Sequence, residues 1–278
     1  MRHTARHWAL ALALAAGVGA PACAAAQATT FVAQTAVARV DYWQKRAADI
    51  STYLTQSPDL SGIRMVFVGD SITDFWHLDA NPWAPGKFCG RSVWDQGFGT
   101  GLPAAAALNL GVSGDRIEHV LHRILPAAQG GEGWLDRSDL RPARVFVMLG
   151  INNSFDAETP AVDSIALGVQ TVIARIHEHK PDAQIVVQSL LPTDDDAKNR
   201  DLVQPVNARL RAFVQATPGL RFLDLYPAFV DATGAQRRNL FNDSLHPSRD
   251  GYRVWHDRLV AFIGDQAAQT HSAAPGSR

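Results

Sequence analysis

Five short apolar runs recur along the chain, at residues 64–69, 106–111, 144–150, 184–190 and 220–225. They are rich in Val, Ile, Leu and Phe, and three of them end on Gly69, Gly111 and Gly150. Continuous apolar runs of this length suit strands covered on both faces of a parallel sheet, where no alternation with polar residues is needed. Between them, residues 117–125, 161–179, 202–215 and 252–263 keep apolar side chains at helical spacing, and a further helix is expected over 32–54. Alternation of strand and helix over ~200 residues predicts an α/β fold, an open doubly wound parallel five-stranded sheet with helices on both faces and right-handed crossovers. No internal repeat and no Pro/Ser-rich linker interrupts the pattern, so residues 29–265 are expected to form a single domain. The segment 266–278, made of Ala, Ser, Gly, Pro, His and other small or polar residues, is expected to be a disordered tail.

Composition narrows the classes. The 278 residues are 46% hydrophobic and 19% charged, which excludes disordered, collagen-like and coiled-coil chains. Lys plus Arg number 26 against 27 Asp plus Glu, so no basic field is available for a nucleic-acid backbone. The first 28 residues read as a signal peptide. Arg2 and Arg6 give a basic start, residues 8–19 are an apolar run too short to span a bilayer, and Ala26-Gln27-Ala28 fits a signal-peptidase site. The expectation is an exported protein, periplasmic or secreted, with no transmembrane segment after cleavage. Removal of the leader takes Cys23 with it and leaves Cys89 alone, so the mature chain has no internal disulfide. Cys23, which follows Ala20-Pro21-Ala22, also allows a lipoprotein reading, although no Leu stands three places upstream.

In a doubly wound sheet, ligands bind beyond the carboxyl ends of the strands. The residues there are Gly69-Asp70-Ser71-Ile72, Gly111-Val112-Ser113-Gly114-Asp115-Arg116, Gly150-Ile151-Asn152-Asn153 and, later, Asp243-Ser244-Leu245-His246. These are the components of acyl transfer. Ser71, at a strand-to-helix turn, is a weak nucleophile until a base takes its proton. His246 can be that base if an acceptor fixes its tautomer, and Asp243, three residues earlier, is within reach. An oxyanion hole can be assembled from the N–H groups of Ser71 and Gly114 and the Asn152 amide. Each residue also has a plainer use. Ser71 can cap a helix, Gly114 can serve a turn, Asn152 can close an Asx turn, and Asp243 with His246 can be a surface pair. Asp70 is expected to orient the turn by hydrogen bonding, and Asn153 to support the site from behind.

Gly-Asp-Ser-Ile, Asn-Leu-Gly-Val-Ser-Gly-Asp-Arg, Leu-Gly-Ile-Asn-Asn and Asp-Ser-Leu-His-Pro, in that order, resemble the four blocks of the SGNH (GDSL-type) hydrolases. The resemblance spans about residues 65–255. It implies the flavodoxin-like SGNH fold and a serine esterase, with Ser71 as nucleophile, Gly114 and Asn152 in the oxyanion hole, and Asp243 with His246 completing the triad. The run from Gly114 to Ile124 and the doubled Asn look like the acetylhydrolase branch, which includes platelet-activating-factor acetylhydrolase catalytic subunits and carbohydrate acetylesterases. The thioesterase branch typically has Asp directly after the oxyanion Asn, where this chain has Asn153. The resemblance implies no metal or organic cofactor. The expected substrate is a short-chain ester of a carbohydrate, acetyl first, with an acetyl group on a lipid or another small ester as the alternative; the oligomeric state is open. Two readings of other classes remain. A metal-dependent phosphoesterase would use Asp70, Asp243 and His246, and an inactive glycan-binding module would keep the fold without turnover. The pairs His119/His122 and His177/His179 lack an evident third ligand. No Gly-x-Ser-x-Gly elbow surrounds Ser71. The aromatic segment 78–102, with Trp83, Phe88, Trp94 and Phe98, either covers the sheet or walls the substrate pocket.

Overall fold

The computed structural model describes residues 30–39, 44–99, 107–155 and 158–273. The expected leader, residues 1–28, lies outside the described residues. Five strands, β1 (Met65–Gly69), β2 (Ala107–Asn109), β3 (Arg144–Met148), β4 (Gln184–Gln188) and β5 (Arg221–Leu223), form one parallel sheet in the order β2-β1-β3-β4-β5. Every residue of β1 is buried, as are all but the first of β3 and β4, which is why these runs show no polar alternation. The eight α-helices among the described residues are α1 (Gln44–Gln56), α2 (Ser71–Asp74), α3 (Arg91–Trp94), α4 (Ile117–Ile124), α5 (Ala161–His179), α6 (Asp196–Lys198), α7 (Gln204–Ala216) and α8 (Arg249–Ala273). α4, α5 and α7 pack side by side, while α3 packs with α8. None of the helices is long and apolar enough to cross a membrane among the described residues.

The chain leaves β1 for the edge strand β2 and then returns past β1 to β3. That reversal opens a crevice at the carboxyl ends of β1 and β3, where ligands bind in such sheets. The aromatic segment divides between its two expected uses. Trp94 and Phe98 turn inward onto Phe67 of β1, with ring centroids 5.4 and 5.6 Å away. Phe67 in turn stacks on Phe146 at 4.8 Å. Trp83 and Phe88 instead remain 45% and 44% exposed.

Three expectations need correction. Residues 32–54 do not form one helix. A 3-10 turn at Val32–Gln34 is followed by extended backbone from Thr35, and among the described residues the helix α1 covers Gln44–Gln56. Thr30, Val32, Thr35 and Val37 are β-branched and stiff at χ1, which lowers helix propensity, and the Val37 N–H is taken by the Glu118 carbonyl. The helix expected at 202–215 is preceded by a π-helical turn at Asn199–Val203, where Pro205 has no N–H to continue the α pattern backwards. The tail expected to be disordered from 266 is helical through Ala273, because Ala and Gln extend a helix at little cost. Residues 274–278 lie outside the described residues.

Trp76 and Trp255 are both fully buried and in contact. The Trp255 indole N–H donates to Gln188 Oε1 at 2.8 Å, whereas that of Trp76 has no partner among the described residues. Changing either to Phe removes a similar volume. Trp255→Phe is therefore expected to cost about 2 kcal/mol more than Trp76→Phe, because only it orphans a buried acceptor. Urea unfolding of the two variants measures this, and equal losses would show that the buried bond contributes nothing net.

Candidate active site

Ser71 is the first residue of α2, immediately past β1, and is only 3% exposed. The turn that carries it is held from two sides. Asp70 Oδ1 accepts from Ile72 N at 3.0 Å as the helix cap. The Tyr252 hydroxyl, from α8, donates to the Ile72 carbonyl at 2.7 Å. Ser71 thus occupies a backbone that neither end can shift without breaking a buried hydrogen bond.

His246 Nε2 stands 2.9 Å from Ser71 Oγ, and its Nδ1 is 2.9 Å from Asp243 Oδ2 and 3.2 Å from Oδ1. Asp243 and His246 belong to a loop closed by a 2.8 Å hydrogen bond from Asn242 N to the His246 carbonyl. Asp243 Oδ1 also accepts from the N–H groups of Leu245 and His246. Burial by itself would push the Asp243 acid up, but the His246 side chain and these backbone donors outweigh it and hold it at about 2. An ionised carboxylate only accepts, so the imidazole carries its proton on Nδ1 and offers the Nε2 lone pair to the Ser71 hydroxyl. Phe75 stacks on the His246 ring at 4.8 Å, and Trp83 lies 5.5 Å from it.

The loop after β2 lies against α2. Gly111 is needed there for close approach, since a Cβ would sit 2.4 Å from Asp74 N. Gly114 has φ +75°, a conformation L side chains rarely adopt. Asn152 Nδ2 donates to the Asp115 carbonyl at 2.8 Å, so the third strand end is tied directly to the second. That bond uses one of the two amide hydrogens. Asn153 points away from the crevice. Its Oδ1 accepts from Ile117 N, its Nδ2 donates to Glu118 Oε2, and it thereby anchors the start of α4. Asp70, beyond its cap, leaves Oδ2 buried without a partner among the described residues. Burial pushes this acid up to about 7.

Several supports of the site carry no motif of their own. The buried Asp74 accepts from Ser113 N and Ser113 Oγ, and from Arg46. The buried Asp115 accepts from Arg123 and Arg39. Asp74 and Asp115 stand inside or beside the quoted blocks, which is the one signal available for them; for Arg39 and Arg46 there is none. The histidine pairs have other partners or face solvent. His119 Nδ1 accepts from Arg116 N, and His177 is exposed. Among the described residues no three His, Cys, Asp or Glu side chains converge as metal ligands. Cys89 is buried, its thiol pushed up to about 12 by burial.

Comparison with known proteins agrees with this architecture. Residues 67–254 match the family model of the GDSL-like lipase/acylhydrolase family. The platelet-activating factor acetylhydrolase IB subunit alpha1 of Pongo abelii is 30% identical over 210 residues, covering 74% of this chain and 79% of that protein. Among solved structures, a GDSL-like lipase from Bacteroides thetaiotaomicron superposes with a TM-score of 0.57 at 20% identity, covering 80% of this chain and 97% of that one. A family two carbohydrate esterase from Clostridium thermocellum, in complex with cellohexaose, has a TM-score of 0.53 at 14% identity and covers 74% and 65%. At these identities the two structures speak to the fold.

The buried Asp70 makes stability depend on pH. Its folded value of about 7 lies above the ordinary aspartate value of 3.8, so between these pH values the folded state holds a proton the unfolded state has lost, and stability falls as pH rises through that window. Asp70→Asn keeps the cap acceptor and cannot ionise. The variant should gain on the wild type between about pH 4 and about pH 8, by up to roughly 4 kcal/mol. Urea midpoints at the two pH values test this, and a constant difference would place the Asp70 acid in the ordinary carboxylate range.

Proposed function

The chain belongs to the GDSL-like lipase/acylhydrolase family and is a carboxylic ester hydrolase, and we propose that it cleaves short-chain esters, acetyl first, through a Ser71–His246–Asp243 triad. The supporting observation is the unbroken run of hydrogen bonds from an ionised Asp243 through His246 to the Ser71 hydroxyl. In this reading Ser71 Oγ attacks the ester carbonyl carbon while His246 Nε2 takes its proton, and Asp243 stabilises the imidazolium that forms. The oxyanion is received by the N–H groups of Ser71 and Gly114 and by the Asn152 hydrogen not used on Asp115. Collapse expels the alcohol, which takes the proton from His246 and leaves acyl-Ser71. Water, deprotonated by His246, then attacks the acyl-enzyme, and the acid departs as the proton returns to Ser71. An assembled relay of this kind favours turnover over the inactive glycan-binding reading.

The names of the curated relatives favour acetyl as the acyl group. For the alcohol we favour a carbohydrate. Trp83, half exposed beside His246 and 5.2 Å from Phe75, offers an apolar face of the kind on which a sugar ring stacks. Its loop is stiff, because Asn81 Oδ1 accepts from both Trp83 N and Ala84 N. A lipid alcohol is the second reading, favoured by the same relatives' names. The basic, then apolar, start of the chain over residues 1–28 supports export to the periplasm or beyond.

Hydrolysis of p-nitrophenyl acetate tests the mechanism. Ser71→Ala and His246→Ala should each lower kcat by several orders of magnitude, with little further loss in the double variant, since triad members act as a unit. Activity should be insensitive to EDTA. Retained activity in Ser71→Ala, or abolition by EDTA, removes Ser71 from the nucleophile's role. Trp83→Ala tests the alcohol. It should raise KM for an acetylated oligosaccharide about ten-fold while leaving p-nitrophenyl acetate nearly unchanged, as loss of one stacking contact implies. A selective loss on acetylated phospholipids instead would favour the lipid reading.

A further inference from the structure

β2 is an edge strand, and among the described residues the backbone that continues from it has no strand outside it. The N–H groups of Leu110 and Val112 turn inward to the carbonyls of Phe67 and Gly69. The alternate residues Asn109, Gly111 and Ser113 therefore turn their backbone groups outward, where a sixth strand would have met them. Side chains meet them instead. Gly111 N donates to Asn109 Oδ1, and Ser113 N donates to Asp74 Oδ2. Arg46 donates to the carbonyls of Asn109, at 2.9 Å, and Gly111, at 3.3 Å, and Arg39 donates to that of Ser113, at 3.1 Å. Both arginines come from the segment ahead of β1, and each is also paired with a buried carboxylate of the site. Arg46 Nε lies 2.9 Å from Asp74 Oδ1, and an Arg39 Nη lies 2.9 Å from Asp115 Oδ1.

We infer that Arg39 and Arg46 position the oxyanion hole, meeting the outward backbone groups of the 109–113 stretch and holding the 111–116 loop so that the Asp115 carbonyl keeps Asn152 in register. The inference rests on the reading of Asn152 as an oxyanion donor. Arg39 has the shorter path to that donor. It fixes the Asp115 carboxylate from one side while Arg123, itself tied to Glu132, holds it from the other, and the same residue's carbonyl takes one Asn152 hydrogen. Freed of Arg39, the loop keeps one of its two ionic anchors at Asp115. Misplacement of a donor by less than an ångström then weakens its grip on the transition state far more than on the substrate. Arg39 and Arg46 are positioning residues and touch no reacting atom.

The test is a double-variant cycle with p-nitrophenyl acetate, kcat being taken per active serine titrated by a phosphonate. Arg39→Met is expected to lower kcat about ten-fold with KM within about two-fold, the signature of an interaction made only in the transition state. Arg39→Lys, which retains the charge opposite Asp115, should recover much of that loss. In an Asn152→Ala background, Arg39→Met should cost no more than about two-fold, since the donor it positions is gone. A full loss of about ten-fold in both backgrounds, or an unchanged kcat in Arg39→Met, overturns the inference. An unchanged kcat in Asn152→Ala alone overturns instead the assignment of Asn152 to the hole. Should Arg39→Met fail to fold, the same cycle run with Arg39→Lys decides the matter in the same way. Its smaller loss should vanish without Asn152, and a loss of equal size in both backgrounds overturns the inference.

Discussion

The loop that follows the edge strand β2 has to be rigid although, among the described residues, no ladder holds its outer side. That constraint organises this molecule. The chain from Asn109 to Arg116 must pass close enough to α2 that Gly111 tolerates no Cβ, and must then adopt a positive φ at Gly114. Its outward backbone groups are met by Asn109, Asp74, Arg46 and Arg39 rather than by another strand. The two carboxylates involved, Asp74 and Asp115, are buried and each is paired with an arginine. An unpaired buried charge would be costly, so each carboxylate and its arginine partners hold one another in place. The rigidity of the loop follows from that mutual dependence more than from local propensity.

The same logic of buried polar groups separates the acids near Ser71. Asp243 is met by an imidazole and two backbone N–H groups and stays ionised. Asp70, adjacent to Ser71, has one N–H on Oδ1 and, among the described residues, nothing on Oδ2, and burial raises its acid to about 7. The two acids part because Asp70 is fully buried with one donor, whereas Asp243 is less buried and the imidazole and backbone N–H groups around it outweigh that burial. One is suited to orient an imidazole, the other to cap a short helix.

Much of this was legible along the chain. The apolar runs place all five strands, and the residues just beyond three of them include Ser71, Gly114 and Asn152, while Asp243 and His246 stand on a loop further along, past β5. Strand ends are readable because a strand buried on both faces has few polar positions, so the first polar residues after it stand out. The segment 32–54 was not readable in the same way. Its helical spacing is real from Gln44 onward, but Val37 and Arg39 are committed to partners more than seventy residues away, and such contacts override local preference. The tail departs in the other direction, because small residues that look like a linker also propagate a helix. Arg39 and Arg46 carry no motif, and an arginine in a sequence does not reveal which buried carboxylate it will meet.

The sequence by itself determined the class of fold, the order of the strands along the chain and the identity of the residues at the strand ends, because hydrophobic period and turn chemistry are local properties. The tertiary structure alone decided which aromatic residues cover the sheet and which stay exposed, and what holds the 109–116 loop in place. Those outcomes depend on the separation of groups far apart in the chain and on the burial they share. Neither quantity exists until the sheet has closed around them.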